Sequence, residues 1–115
     1  MKASVTALTI YVSDFNRALR YYTNVLGFME DFRHADYAGL SIDNVSIHLS
    51  GPTNPGTKEP GNAHFYIACD YTDIYFDAIK RYGAIIVVPL AERFNGVRDF
   101  TINDHDGNTL VFAAL

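Results

Sequence analysis

Residues 11–28 read YVSDFNRALRYYTNVLGF, and this stretch decides the architecture. Ser13 and Asp14 are residue types that accept hydrogen bonds from the free N–H groups at a helix start. Behind them Phe15, Ala18, Leu19, Tyr22, Val25 and Leu26 recur at helical spacing, and Gly27 suits the positive φ of a helix exit. Upstream, SVTALTIYV (4–12) is rich in β-branched residues and lacks Gly and Pro, which predicts a strand. Downstream, strands are predicted at 28–34, 37–42 and 45–50, with Asp36 and Asp43-Asn44 as turn residues between them.

The same order then restarts. Residues 51–62, GPTNPGTKEPGN, hold three of the four prolines and form a linker. AHFYIAC (63–69) reads as a strand, and Asp70 to Thr72 offer a cap. Ile74, Tyr75, Ala78, Ile79 and Tyr82 mark a helix over 73–82, and Gly83 ends it. Strands are predicted at 84–88, 97–103 and 109–113, the last preceded by the turn DHDGN (104–108). At an offset of 57 residues Val12 falls on Cys69, Ala18 on Tyr75 and Tyr22 on Ile79. The glycines at 27 and 83 leave the second helix one residue shorter. Each half is a βαβββ unit too small to bury its own sheet, so the halves should pack together. The expectation is a single domain over 1–115, with module 1 at about 1–50 and module 2 at about 63–115.

Composition bounds the function. The chain has 115 residues, 49% apolar and 19% charged, enough for one real core. No run approaches the roughly 18 apolar residues of a bilayer span. The N-terminus reads as a strand rather than a secretory leader. A single cysteine, Cys69, excludes an intramolecular disulfide framework, so a cytoplasmic location is expected. Net charge is −4 and the nine Lys and Arg form no run, which disfavours nucleic-acid or anionic-membrane partners. Eight Tyr and eight Phe either fill the core or line a pocket.

YVSDFNRALRYYTNVLGF resembles the opening module of the vicinal oxygen chelate superfamily, which groups glyoxalases, bleomycin-resistance proteins and extradiol dioxygenases. GVRDFTINDHDGNTLVF (96–112) resembles that family's closing strand, turn and strand, with His105 where proline is usual. The resemblance implies an α+β fold: two tandem βαβββ modules form curled mixed sheets around an open cup, with helices outside. It also implies a homodimer that binds a small organic ligand in the cup or at the subunit boundary. The scaffold hosts both enzymes and binding proteins, so the metal site decides between them. The first-strand ligand of family enzymes, seven residues before Asp14, falls on Ala7; the second-module ligand falls on His64; the last, three residues after Asn108, falls on Val111. Ala7 and Val111 have no donor atom, and one imidazole does not replace three protein ligands. No metal cofactor is expected.

Alternation along strands then defines a cup face. Ala7, Thr9 and Tyr11 share it, as do Ser46, His48 and Ser50. The second module adds His64, Tyr66 and Ala68, with Thr109, Val111 and Ala113. Tyr and His among small residues suit a ligand with planar parts. Phe94, in the loop AERFNGVR (91–98), is a candidate cover for the site or, equally, an edge contact between subunits. Arg98 is a candidate partner for a ligand carboxylate or sulfate, against pairing with Glu92 or Asp99. Phe32 is assigned to core packing in preference to lining the cup, Cys69 to a buried position, and NDHDGN to a hairpin turn rather than a calcium loop. These readings lead to a metal-free protein that sequesters an antibiotic or aromatic metabolite, as bleomycin-resistance proteins do. Two alternatives stay open. One is a lyase, isomerase or dioxygenase-like enzyme that uses a displaced metal at His48 and His64 or histidine acid–base chemistry. The other is a structural module with an empty cup.

Overall fold

The computed structural model describes residues 1–115. Strand β1 (Leu8–Tyr11) leads into helix α1 (Phe15–Arg20), which continues as a π-helical turn (Tyr21–Val25). Strands β2 (Met29–His34), β3 (Tyr37–Ile42) and β4 (Val45–Ser50) complete module 1. Module 2 repeats the order as β5 (His64–Cys69), α2 (Thr72–Arg81), β6 (Ile85–Glu92), β7 (Arg98–Asn103) and β8 (Thr109–Ala114). The sheets run β1-β4-β3-β2 and β5-β8-β7-β6. In each, the first strand pairs parallel to the last and the other pairs are antiparallel. The fold is therefore the α+β pair of βαβββ modules that the repeat predicts. No helix is long and apolar enough to cross a membrane.

The departures from the predicted elements have local causes. Residues 4–7 lie outside β1. The first helix widens after Arg20: Leu26 N–H donates to Tyr21 O at 3.0 Å and Phe28 N–H to Tyr22 O at 2.9 Å. One extra residue is absorbed there, which accounts for the mismatch between Gly27 and Gly83. It also turns both Tyr21 and Tyr22 inward. Asp14 caps α1, its Oδ1 accepting from Arg17 N–H at 3.1 Å. The second helix lacks the predicted side-chain cap. Tyr71 holds the N-cap position at φ 50°, and the Thr72 hydroxyl donates back to Cys69 O at 3.2 Å. Strand β6 runs four residues past its predicted end at 88, through Pro89. It is an edge strand with bulges, where a missing N–H costs no ladder bond.

The core lies on the helix side of each sheet. In module 1 Ile10, Leu40, Ile47 and Leu49 are buried with Phe15 and Leu19 of α1. In module 2 the same layer is aromatic. Phe100 stacks on Phe112 at 5.2 Å and 18°, and Phe76 of α2 meets Phe100 edge-on at 4.9 Å. Each such burial contributes about 1.5–3 kcal/mol.

The DHDGN turn bolts the modules together. Asp104 accepts from Asp106 N–H and Asn108 N–H at 2.9 Å each, the hairpin role predicted for it. It is also buried, and it accepts the Tyr22 hydroxyl at 2.9 Å and Asn108 Nδ2 at 2.8 Å. Asn108 Nδ2 donates onward to Tyr11 O at 3.0 Å, and Asn108 Oδ1 accepts Ala63 N–H at 3.0 Å. Burial with the Asp104 charge alongside holds the Tyr22 phenol far above its ordinary range. Burial likewise raises Tyr21, although the Ile85 N–H it accepts pulls the other way.

Candidate functional site

With one face of each sheet under a helix, the opposite faces are open. Register aligns their side chains in rows. In module 1 the central row is Thr9, His48, Gly39 and Phe32, and its neighbour is Tyr11, Ser50, Tyr37 and His34. In module 2 the corresponding rows are His64, Thr109, Asn103 and Ile85, and Tyr66, Val111, Thr101 and Val88. Of the sequence-predicted residues, Thr9, Tyr11, Ser46 and His48 thus lie on the open face of module 1, and His64, Tyr66, Thr109 and Val111 on that of module 2.

Module 1 gathers rings on its open face. Tyr37 Oη lies 2.7 Å from His48 Nδ1. The Phe32 ring meets the His48 ring edge-on at 5.3 Å and stacks near Tyr37 at 6.4 Å, 23° from parallel. His34 adds a fourth ring, 6.3 Å from Phe32. Gly39 lies beneath: a β-carbon there would collide with the Phe32 ring. Phe32 is 41% exposed, so its assignment to the core is corrected. A bulge between Glu30 and Phe32 puts one extra residue in β2 and turns Phe32 from the helix side to the open side. Neither Tyr37 nor Gly39 stood out in the sequence as a site residue. The signal that could have found them was the pairing of Gly39 with His48 across a two-residue hairpin.

Module 2 presents a different surface. Tyr66 is 62% exposed and rises from a surround of Val111, Thr101 and Val88. The Thr109 hydroxyl donates to Asn103 Oδ1 at 2.9 Å. Phe94 is fully exposed in the β6–β7 loop. That loop is held by Arg93, which bonds Asp99 Oδ1 at 2.5 Å and Pro89 O at 2.9 Å. Arg98 points away from the open face. It shares the parity of buried Phe100 and pairs with Asp73 of α2 at 3.1 Å, neither Glu92 nor Asp99. This ion pair raises the Arg98 pKa and leaves the guanidinium engaged on the helix side. Cys69 is half-buried rather than buried, its Sγ 3.5 Å from Thr72 Oγ1.

The donor set does not fit a metal within one chain. Ala7 and Val111 stand where ligands would be needed, and nowhere do three His, Cys, Asp or Glu side chains converge on one point. His48 and His64 lie on separate sheets without a shared carboxylate.

Paired βαβββ sheets with open faces, from a sequence with these opening and closing motifs, match one family over residues 4–112. The chain belongs to the Glyoxalase/Bleomycin resistance protein/Dioxygenase superfamily. Among solved structures of similar fold, TioX from Micromonospora sp. ML1 aligns with a TM-score of 0.84 at 21% identity, covering 97% of this chain and 98% of that one. A superfamily member from Sphaerobacter thermophilus DSM 20745 aligns at 0.82 and 23%, covering 99% and 98%. Virulence protein STM3117 from Salmonella typhimurium aligns at 0.77 and 23%, also covering 99% and 98%. These likenesses establish the superfamily fold. No curated protein is significantly similar to the sequence.

Proposed function

We propose that this superfamily member binds a small organic molecule with planar rings, an antibiotic or aromatic metabolite, and sequesters it without chemistry. The observation that carries the proposal is the ring cluster of Phe32, Tyr37 and His48 on the open face of module 1. Rings left half-exposed add little to the stability of a small domain. A planar ligand stacked on them gains buried area plus about 0.5–1.5 kcal/mol per ring pair. Gly39 lets the Phe32 ring settle close against the sheet, since a β-carbon there would take the same space. Homodimerisation is part of the proposal: an open face of a second copy closes the cup. The large exposed side chains of Met29 and Phe32 on one face, and of Tyr66 and Val88 on the other, support such burial. The absence of donors at Ala7 and Val111 favours binding without a metal.

Titration with a panel of bleomycin-like and polyketide-like aromatic compounds, followed by calorimetry, tests the proposal. Saturable binding is expected, weakened about tenfold by Tyr37→Ala, roughly 1.4 kcal/mol. Silence across the panel would refute it. Sedimentation should give a dimer, and a monomer at binding concentrations would remove the two-copy cup. A second reading, acid–base catalysis by His48, is favoured by the 2.7 Å contact that fixes its ring against Tyr37. Turnover of a bound compound, lost in His48→Gln, would establish it instead.

A further inference from the structure

The repeat sets two inter-module seams side by side. Each module's β3–β4-type hairpin turn faces the other module's helix. In one seam the five-residue turn 104–108 fills the space against α1 and the π turn, through the Tyr22–Asp104 bond and a 2.5 Å bond from the Ser13 hydroxyl to Asp106. In the other, the connection between β3 and β4 is only Asp43-Asn44. It does not fill the matching space against α2. A cavity of about 610 Å³ remains there, open on one side to solvent. Ile42 and Val45 form one wall, Ile74, Tyr75 and Ala78 of α2 the other, and Phe112 lies among the remaining lining residues. The Tyr75 hydroxyl is turned away into a 2.6 Å bond with Leu26 O, so the ring offers the cavity an apolar surface.

The lining is chemically specific. Its charged side chains are Asp43 and Asp70, with no Lys or Arg among the lining residues. Two of the three non-glycine residues with positive φ in the chain are also here, Asp43 at 49° and Tyr71 at 50°. Asp43 takes it as the two-residue hairpin turn requires, whereas at the bulky Tyr71 it is strained. The cavity volume falls within the roughly 300–1,000 Å³ of small-molecule sites. It lies at the module seam, on the opposite face of β3 and β4 from the ring cluster and at their other ends.

We infer that this seam cavity is a second binding site, which takes an apolar organic cation: a hydrocarbon body between the β3–β4 turn and α2, with an ammonium head at Asp43 and Asp70. The site is independent of ring binding on the open face, and the test keeps the two apart. n-Octylammonium and n-octyl sulfate share a hydrocarbon chain and differ in charge. In NMR titrations, octylammonium should saturate one site and shift the amides of Ile42, Asp43, Ile74 and Ala78, leaving Tyr37 and His48 unmoved. It should bind at least about tenfold more tightly than octyl sulfate, and the paired Asp43→Asn, Asp70→Asn variant should abolish that preference. Ala78→Phe should block binding by filling the cavity. If that variant fails to fold, Ile74→Arg, at an exposed position, places a cation at the mouth and should weaken octylammonium just as strongly. Equal affinity for the two charges, shifts centred on Tyr37 and His48, or no saturable binding would each overturn the inference. A planar ring ligand that still binds after Ala78→Phe would show the open face intact whichever way the seam result falls.

Discussion

The two modules share a plan, and their sheets carry ring clusters on opposite faces. Module 2 buries its cluster: Phe76, Phe100 and Phe112 pack between helix and sheet, with Tyr75 5.0 Å from Phe112. The module 1 sheet is aliphatic on its helix side, where the buried rings of Phe15, Tyr21, Tyr22 and Phe28 come from outside the strands, and it carries its cluster of Phe32, Tyr37 and His48 on the open face. Similar side chains therefore serve different ends. Rings under a helix are removed from water by the fold itself, whereas rings on an open face await another surface. The contrast teaches that aromatic content alone says nothing of function until each ring is assigned to a side of its sheet.

The contrast can be broken most severely from the buried side. Phe100→Ala should destabilise the protein by about 3–5 kcal/mol in urea unfolding, because it leaves a cavity between Phe76 and Phe112. A loss under 1 kcal/mol would mean that the module 2 cluster is not a packed core. Tyr22→Phe comes next, at about 1–3 kcal/mol, since it strips a donor from buried Asp104 and loosens the bolt between the modules.

The buried phenols also set an alkaline limit. Folding raises the pKa of Tyr21, Tyr22 and Tyr75, burial being the leading cause in each. Their contribution is complete below the unfolded phenol value of about 10 and is lost as pH rises toward the folded values. Thermal unfolding temperature should hold up to about pH 10 and fall above it, less steeply in Tyr22→Phe.

Phe32→Ala sharpens the comparison from the exposed side. Stability should change by less than about 1 kcal/mol while affinity for a planar ligand drops several-fold. An equal loss in both would make Phe32 a core residue after all. The smallest effect is at the rim. Asp36 accepts from the Thr53 hydroxyl and, at 3.1 Å, from Thr53 N–H, and these bonds lower its pKa. Its stabilising effect is present above the ordinary carboxylate range and is lost as pH falls through the folded value. Asp36→Asn should therefore flatten the acid end of the stability profile and leave ring binding unchanged.

Much of this was legible in the sequence, for a simple reason. Strand alternation and helical spacing are local, so the helix and sheet faces of β1, β4, β5 and β8 follow from residue types alone. The ring cluster was only half legible. His48 follows from parity, but Phe32 depends on a bulge that shifts the register by one residue and so reverses the face. The same bulge recurs in β6 between Ile86 and Val88. Nothing in either strand announces it, because a bulge is decided by which partner strand the residues meet. Arg98 illustrates a second limit: carboxylates adjacent in sequence suggested its partner, and the fold supplied Asp73 from another element.

The sequence by itself determined the repeat, the two βαβββ units, the Asp14 cap, the hairpin turns, and the absence of donor atoms at Ala7 and Val111. These are properties of short segments and single side chains. The tertiary structure alone decided that Asp104 and Asn108 join the modules, that one seam closes while the other leaves a cavity, and that the open-face rings of module 1 remain uncovered. Each of these depends on how one module's turn and register meet another element, and the energy that settles it comes from groups far apart in the chain.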